Sequence, residues 1–265
     1  MGLGDVYKRQ LSGGANDDVL EGGVGNDRLM GGDGEDTIYG GSGDDRVLGG
    51  KKRDVLYGGD GHDEILGGSF GDTIEGGAGD DTIWGGAGND LIDLGEGNNV
   101  FNDTFESGAF GGLDTVTSGS GNDLFNGKSG QDDFTSGGGD DTLFGGSSND
   151  RLDAGDGADN LNGGAGDDTI LGGAGDDVID GGAGADTFVF EANFGTDVLL
   201  GFQRNFSGEV IDLAAVSEIV DFADLQANHL SQVGSDAVIS DGLGNSLTLI
   251  GINETGLDAD NFVFV

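Results

Sequence analysis

Large apolar side chains recur at every ninth position over most of this chain, separated by stretches made chiefly of glycine and aspartate. The series begins Leu20, Leu29, Ile38, Val47, Leu56, Ile65, Ile74, Ile83, Ile92 and Phe101. After an interruption at 103–108 it continues with Val116, Phe125, Phe134, Leu143, Leu152, Leu161, Ile170, Ile179 and Phe188. A spacing of nine fits neither the 3.6-residue period of a helix nor the alternation of a plain strand. Residues 163–189 show the full unit three times without a break, as Gly-Gly-x-Gly-x-Asp-x-U-x with U the large apolar residue. Six Gly/Asp-rich residues predict a turn, because glycine reaches positive φ without steric penalty. The last three predict a short strand whose middle side chain points inward. Two such units close one coil, which gives an all-β fold: a right-handed parallel β-roll (β-helix) solenoid with two parallel sheets. A flexible linker would have no reason to keep position eight apolar.

The same pattern divides the chain. Residues 1–10 (MGLGDVYKRQ) fit neither the repeat nor a signal peptide and read as a scar or fragment edge. Residues 11–102 form a first block of the roll and 109–189 a second. The repeat stops near Phe190, leaving 190–265 as a C-terminal cap, the region in which the resemblance given below implies a secretion signal. There, 188–190, 197–200, 210–213, 237–239 and 246–250 look strand-like, and Asp241-Gly242-Leu243-Gly244-Asn245 is a hairpin signal. A short helix is expected within 217–230, with Phe222, Leu225 and Leu230 on one face. A solenoid must cover its last open edge, so a non-repeating β-rich cap is expected.

Composition narrows the partners. Among 265 residues, 51 are acidic and 10 are Lys or Arg, for a formal charge of −41. Self-repulsion on that scale opposes a compact state unless cations bind. Nucleic acid is excluded as a partner, since no basic footprint for phosphate exists. Cysteine is absent, so disulfides cannot staple the fold. No apolar run approaches the length of a membrane span, and no secretory signal peptide opens the sequence.

Hard cations take oxygen ligands, from carboxylates, carbonyls and water. Position six supplies the carboxylates: Asp18, Asp27, Asp36, Asp45, Asp54, Asp63, Asp72, Asp81 and Asp90, then Asp114, Asp123, Asp132, Asp141, Asp150, Asp159, Asp168, Asp177 and Asp186. A single one would be an ordinary solvated turn residue; so many at one phase are not. In stacked coils the turns of alternate repeats lie one above another, giving an odd and an even column of candidate sites. Asn16, Lys52 and Phe70 replace the fourth-position glycine, all in the odd column, so the even column is expected to be the more regular between Gly22 and Trp84. Lys51, Lys52 or Arg53 is expected to stand in for missing cations there. Asn99 replaces a position-six Asp, and a site is expected to be lost with it. Residues 163–189 are expected to hold the best-formed sites and to nucleate folding.

At position nine, facing outward, the even repeats carry Met30, Leu48, Leu66 and Trp84, an apolar stripe suited to a protein or glycan partner. Catalytic signatures are lacking. Gly67-Gly68-Ser69-Phe70-Gly71 matches G-x-S-x-G, but it lies in phase with the repeat in a chain where such matches come cheaply. His62 and His229 are isolated and make neither a zinc site nor a triad.

The tandem nonapeptide resembles the RTX (repeats-in-toxin) calcium-binding proteins, and this spacing is a known signature of Ca²⁺-binding β-helical repeats. The resemblance covers nearly all of the chain after Gln10. It implies a right-handed roll holding several Ca²⁺ ions, bound by the Asp residues above with carbonyls such as Gly23, Gly25, Gly164, Gly166, Gly173 and Gly175. It also implies an extracellular location, reached through a type I ABC secretion machinery that reads an uncleaved C-terminal signal. The ending Asn261-Phe262-Val263-Phe264-Val265 is similar to such signals. The expected function is that of a secreted calcium-binding module that folds on Ca²⁺ binding after export, not an enzyme. The alternative is the C-terminal part of a secreted hydrolase, protease or polysaccharide epimerase, or of an adhesin, with the active domain upstream.

Overall fold

A computed structural model of the chain describes residues 9–103, 112–203 and 208–264. It has two compact units, Met1–Ser136 and Gly137–Val265.

In the first unit the chain passes back and forth between two sheets. One contains Gln10–Ala15, Arg28–Asp33, Arg46–Lys51, Glu64–Ser69, Thr82–Ala87, Val100–Asn102 and Leu124–Asn126. The other contains Val19–Val24, Thr37–Ser42, Val55–Asp60, Thr73–Ala78, Leu91–Asp93, Thr115–Thr117 and Asp133–Thr135. Neighbours within a sheet are parallel, and equivalent residues stack: Leu29 on Val47, Val47 on Ile65, Ile65 on Ile83. Two nonapeptides therefore make one coil, as the period required. Beyond 103 the partners become Ile92 with Val116 and Phe101 with Phe125, so the extra residues are absorbed without a change of register. Most of the expected interruption, from 104 onward, lies outside the described residues.

Most strands of the first unit are longer than the three residues expected. Val19–Val24 and its equivalents run through positions one to three of the following repeat, which reduces the turn to positions four to six. The paired glycines allow this extension. A side chain at Gly41 would run into the carbonyl of Gly23 in the neighbouring coil, and Gly41 holds φ +120°, a conformation that disfavours L side chains. Along most of the six-residue strands only position eight and the first glycine are buried. The apolar series forms the core: Leu29, Ile38, Val47, Leu56 and Ile65 are fully buried, and Phe125 packs on Phe134 with ring centres 5.3 Å apart. Each such side chain contributes about 1.5–3 kcal/mol. One per nine residues makes a thin core.

The excluded N-terminal segment is a correction. Arg9 donates its main-chain N–H to Asp27 Oδ1 at 2.7 Å, and Gln10 opens the first strand. Leu11 pairs with Leu29, so Arg9 and Leu11 occupy positions six and eight of a partial repeat.

In the second unit Thr142–Ser147, Asn160–Ala165, Val178–Ala183 and Thr196–Leu200 form one parallel run, and Arg151–Asp153, Thr169–Leu171, Thr187–Val189 and Val210–Asp212 the other. The coil thus continues past Phe190, where the sequence pattern ends: Ile179 stacks on Leu199, and Phe188 on Ile211. The β-rich cap closes both sheets. Ser246–Leu249, Asp236–Ser240 and Leu230–Val233 complete the first as an antiparallel meander containing the expected hairpin, and Phe262–Val263 completes the second. The expected helix is confined to Phe222–Asp224 and Leu225–His229, started by Asp221 accepting the Asp224 N–H. Leu230 belongs to a strand instead of the helix face, because it pairs with Ile239.

Candidate metal centre

The position-six aspartates stack as a ladder along each column of turns. Oδ1 of each accepts the main-chain N–H of the position-six residue one coil earlier: Asp18 to Asp36, Asp36 to Asp54 and Asp54 to Asp72, each at 2.8 Å. The other column repeats this from Asp27 to Asp45 at 2.6 Å and from Asp45 to Asp63 at 2.7 Å. Asp168 and Asp186, Asp159 and Asp177, and Asp141 and Asp159 do the same in the second unit. All are buried except Asp18 in the outermost coil.

The second oxygen is different. Oδ2 of Asp27, Asp36, Asp45, Asp54, Asp63, Asp72, Asp81, Asp159, Asp168, Asp177 and Asp186 is buried and accepts no hydrogen bond. Its direction can be read from Asn99, the one amide in the series. Asn99 Oδ1 accepts from the Asp81 N–H at 2.9 Å, which fixes the amide's orientation. Nδ2 then donates to the carbonyls of Gly95 at 3.3 Å and Gly97 at 3.1 Å, positions two and four of its own repeat. Where Asp stands instead, an oxygen faces those carbonyls. Oxygen facing oxygen with no donor between them is a place for a cation.

Buried carboxylates without donors resist ionisation. Burial pushes Asp72 from the ordinary 3.8 up to about 8, Asp63 and Asp159 to about 7, and Asp54, Asp81, Asp168 and Asp177 to about 6. The N–H bond at Oδ1 pulls the other way in each, and neighbouring carboxylates add to the rise. No three His, Cys, Asp or Glu side chains converge on a common point among the described residues. The remaining ligands of any hard cation here come from carbonyls and water.

The expected carbonyl donors lie at these turns. Gly23 and Gly164 present theirs to the position-two glycines Gly41 and Gly182 of the next coil. Gly25, Gly166 and Gly175 do so at position four, toward Gly43, Gly184 and Gly195, and Gly173 rests on the Gly155 carbonyl. Asp90, Asp114, Asp123, Asp132 and Asp150 are buried in the same ladder.

One expectation needs correction. Lys51 pairs with Asp33 at 2.8 Å and Lys52 lies 3.8 Å from Asp17, both exposed carboxylates at positions three and five. Neither lysine reaches an inward Oδ2, because both side chains are held in ion pairs at the exposed surface. Arg53 lines an open cleft with Glu35 and Asp54. The odd column also keeps its shape: Asn16, Lys52 and Phe70 hold φ of 94°, 73° and 79°, in the same left-handed region as the glycines they replace. The irregularity is stored as backbone strain and leaves the carboxylates in place.

Two buried acidic residues past the regular repeats escaped the periodic reading. Asp197 accepts the Asp177 N–H at 3.1 Å, and burial pushes it up to about 8. The sequence Gly195-Thr196-Asp197-Val198-Leu199 keeps G-x-D-x-U, but it follows the preceding repeat by two residues too many. Glu209, also buried, precedes Val210 where an aspartate precedes Thr187.

Elsewhere, Met30, Leu48, Leu66 and Trp84 stand in register on one outer face. Leu48, Leu66 and Trp84 border a cavity of about 250 Å³ with Arg46 and Glu64. On the other sheet Tyr39 and Tyr57 stack with ring centres 4.8 Å apart. His62 lies exposed in a turn, while His229 contacts the Ser240 carbonyl in the cap. No helix among the described residues is long and apolar enough to cross a membrane.

Comparison with known proteins agrees with this geometry. A family model for the RTX calcium-binding nonapeptide repeat (4 copies) matches residues 12–47, 39–74, 66–101, 102–134, 127–161, 135–170, 153–188 and 162–199. No curated protein matches the chain. Among solved structures it is similar to the extracellular lipase LipA from Serratia marcescens, at 19% identity and TM-score 0.38, over 91% of this chain and 45% of the lipase. It is also similar to a hyperactive, Ca²⁺-dependent, β-helical antifreeze protein from an Antarctic bacterium, at 18% identity and TM-score 0.46, over 81% of this chain and 86% of that one. The chain therefore matches less than half the length of the lipase.

Proposed function

Because the chain belongs to the RTX calcium-binding nonapeptide repeat family, matched from residue 12 to 199, we propose that it is a secreted module whose roll folds as Ca²⁺ fills its turns. The nonapeptide repeats bind several Ca²⁺ ions. We assign the ligands to Oδ2 of the position-six aspartates and to glycine carbonyls of the same turns, including those of Gly23, Gly25, Gly164, Gly166, Gly173 and Gly175. The observation that carries this assignment is the pair of bonds from Asn99 Nδ2 to the Gly95 and Gly97 carbonyls. We read it as an oxygen-lined hollow that holds a donor in this repeat and, in repeats such as those of Asp27, Asp36 and Asp63, a carboxylate oxygen that accepts no hydrogen bond. Bound Ca²⁺ supplies the missing positive charge.

The physical consequence is conditional folding. Ordering the backbone costs about 1–2 kcal/mol per residue, and one large apolar side chain per nine residues does not offset that against a net charge of −41. Sites of extracellular type, with Kd around 10⁻⁴–10⁻³ M, stay empty at cytosolic Ca²⁺ and fill outside the cell. With no cysteine, the unfolded chain carries no cross-link that would obstruct a channel. This fits export by a type I ABC machinery directed from 190–265, and an extracellular working location.

A Ca²⁺ titration followed by circular dichroism tests the mechanism. The β signal is expected to appear between about 0.1 and 1 mM free Ca²⁺. A spectrum that stays folded in excess EGTA at neutral pH would refute it.

A further inference from the structure

Resting on the calcium reading above, the structure assigns a second role to the repeat that lacks its aspartate: we infer that Asn99 closes its turn without metal, its amide taking the place of the cation. A lost site would leave the Gly95 and Gly97 carbonyls facing an empty hollow. Instead both accept from Nδ2, at 3.3 Å and 3.1 Å, while Oδ1 keeps the ladder bond to the Asp81 N–H. The Asn99 N–H continues the ladder to Asp123 Oδ1 at 2.6 Å. Both carbonyls and both polar atoms of the Asn99 side chain are thus bonded within the protein, and Asn99 is buried.

The location gives the substitution a purpose. The ladder spacing changes from 18 to 24 residues at this coil, where the chain accommodates six extra residues. A second protein-borne donor acts at the same joint. Lys128, at position two with φ 57°, reaches from the neighbouring coil to donate Nζ to the Asp103 carbonyl at 2.7 Å. An amide and an ammonium thus hold the coil at the interruption, where register is most easily lost. The Asn99 turn takes no Ca²⁺, and the even column of the first unit is divided there into separate runs of ions. The joint stays closed at Ca²⁺ concentrations that leave the flanking aspartate turns open.

The test is an ion count by native mass spectrometry on the full chain at saturating Ca²⁺, with hydrogen exchange in EGTA as a second readout. Asn99→Asp restores a carboxylate, so it is expected to bind one Ca²⁺ more than wild type and to lose exchange protection at 91–102 in EGTA. Asp81→Asn moves the amide one coil earlier, so it is expected to bind one fewer and to gain protection at 73–84 in EGTA. An unchanged ion count in Asn99→Asp overturns the inference. Should that variant fail to fold, an unchanged count in Asp81→Asn overturns it instead. If the wild-type chain itself binds no Ca²⁺, the calcium reading fails first and this inference falls with it.

Discussion

The main-chain N–H of Asp27 donates to Oδ1 of Asp45 at 2.6 Å, although the two lie eighteen residues apart. One carboxylate thereby does two jobs. Oδ1 fixes the turn one coil earlier, and Oδ2, buried without a hydrogen bond, is the oxygen we propose for the cation. Asp45→Ala removes both and leaves a buried N–H on Asp27 without its acceptor, at a cost of about 1–3 kcal/mol. Asp45→Asn keeps the acceptor and replaces Oδ2 by a donor. In saturating Ca²⁺, urea midpoints are expected to fall in the order wild type, Asp45→Asn, Asp45→Ala. In EGTA, residual structure in Asp45→Asn should equal or exceed that of wild type. Equal midpoints for the two variants in Ca²⁺ would show that the Oδ1 bond carries no weight.

Acid should partly replace calcium. The folded-state carboxyls of Asp54, Asp63, Asp72, Asp81, Asp159, Asp168 and Asp177 lie at about 6 to 8, above the ordinary 3.8. A raised folded pKa means that the folded form holds the extra protons. Its stabilising contribution is complete below about pH 4 and is lost as pH rises through 6 to 8. Metal-free protein in EGTA is therefore expected to gain β structure on acidification from pH 8 to 5. Ca²⁺ affinity should change in the opposite sense, rising with pH as protons cease to compete for Oδ2. Circular dichroism across a pH series, with and without Ca²⁺, checks both signs.

The core and the aspartate ladder were legible in the sequence because both repeat at one phase. Ile65 and Asp63 are buried for the same reason that they recur. What escaped broke the phase. Asp197 continues the ladder and Glu209 precedes Val210 at the equivalent step, both after added residues, so a strict period of nine misses them, although Gly195 and Leu199 frame Asp197 as in any repeat. Arg9 joins through its main-chain N–H and through Nη1, which donates to the Gly22 carbonyl at 3.1 Å, so it carries none of the carboxylate signature of position six. The longer strands depend on glycine carbonyls meeting glycines in the neighbouring coil, a relation between residues eighteen apart and not within a repeat. Asn99 was visible as an exception, but only its bonds to Gly95 and Gly97 show what the exception does.

Ile65 is fully buried, stacked between Val47 and Ile83. Ile65→Ala is expected to cost about 2–5 kcal/mol, since the coil backbone above and below cannot collapse into the space. With so thin a core, the same change should also raise the Ca²⁺ concentration needed for folding, by mass action. An unchanged folding midpoint in the Ca²⁺ titration would contradict the coupling of core and ions.

Phe70 is a strained residue whose removal should help. It holds φ 79° at position four and its side chain is 62% exposed, so little apolar burial offsets the strain. A non-glycine residue in the left-handed region costs about 1–2 kcal/mol. Phe70→Gly removes that cost, while the added freedom of glycine in the unfolded chain returns about 0.5–1 kcal/mol of it. The expected net gain is about 0.5–1 kcal/mol, a rise of roughly 1–4 °C in Tm for a chain of this size. Phe70→Ala is the control, because alanine keeps the backbone strain and should leave Tm nearly unchanged. A thermal melt in saturating Ca²⁺ separates the two readings: equal melting of Phe70→Ala and Phe70→Gly would locate the effect in the lost ring and not in the turn.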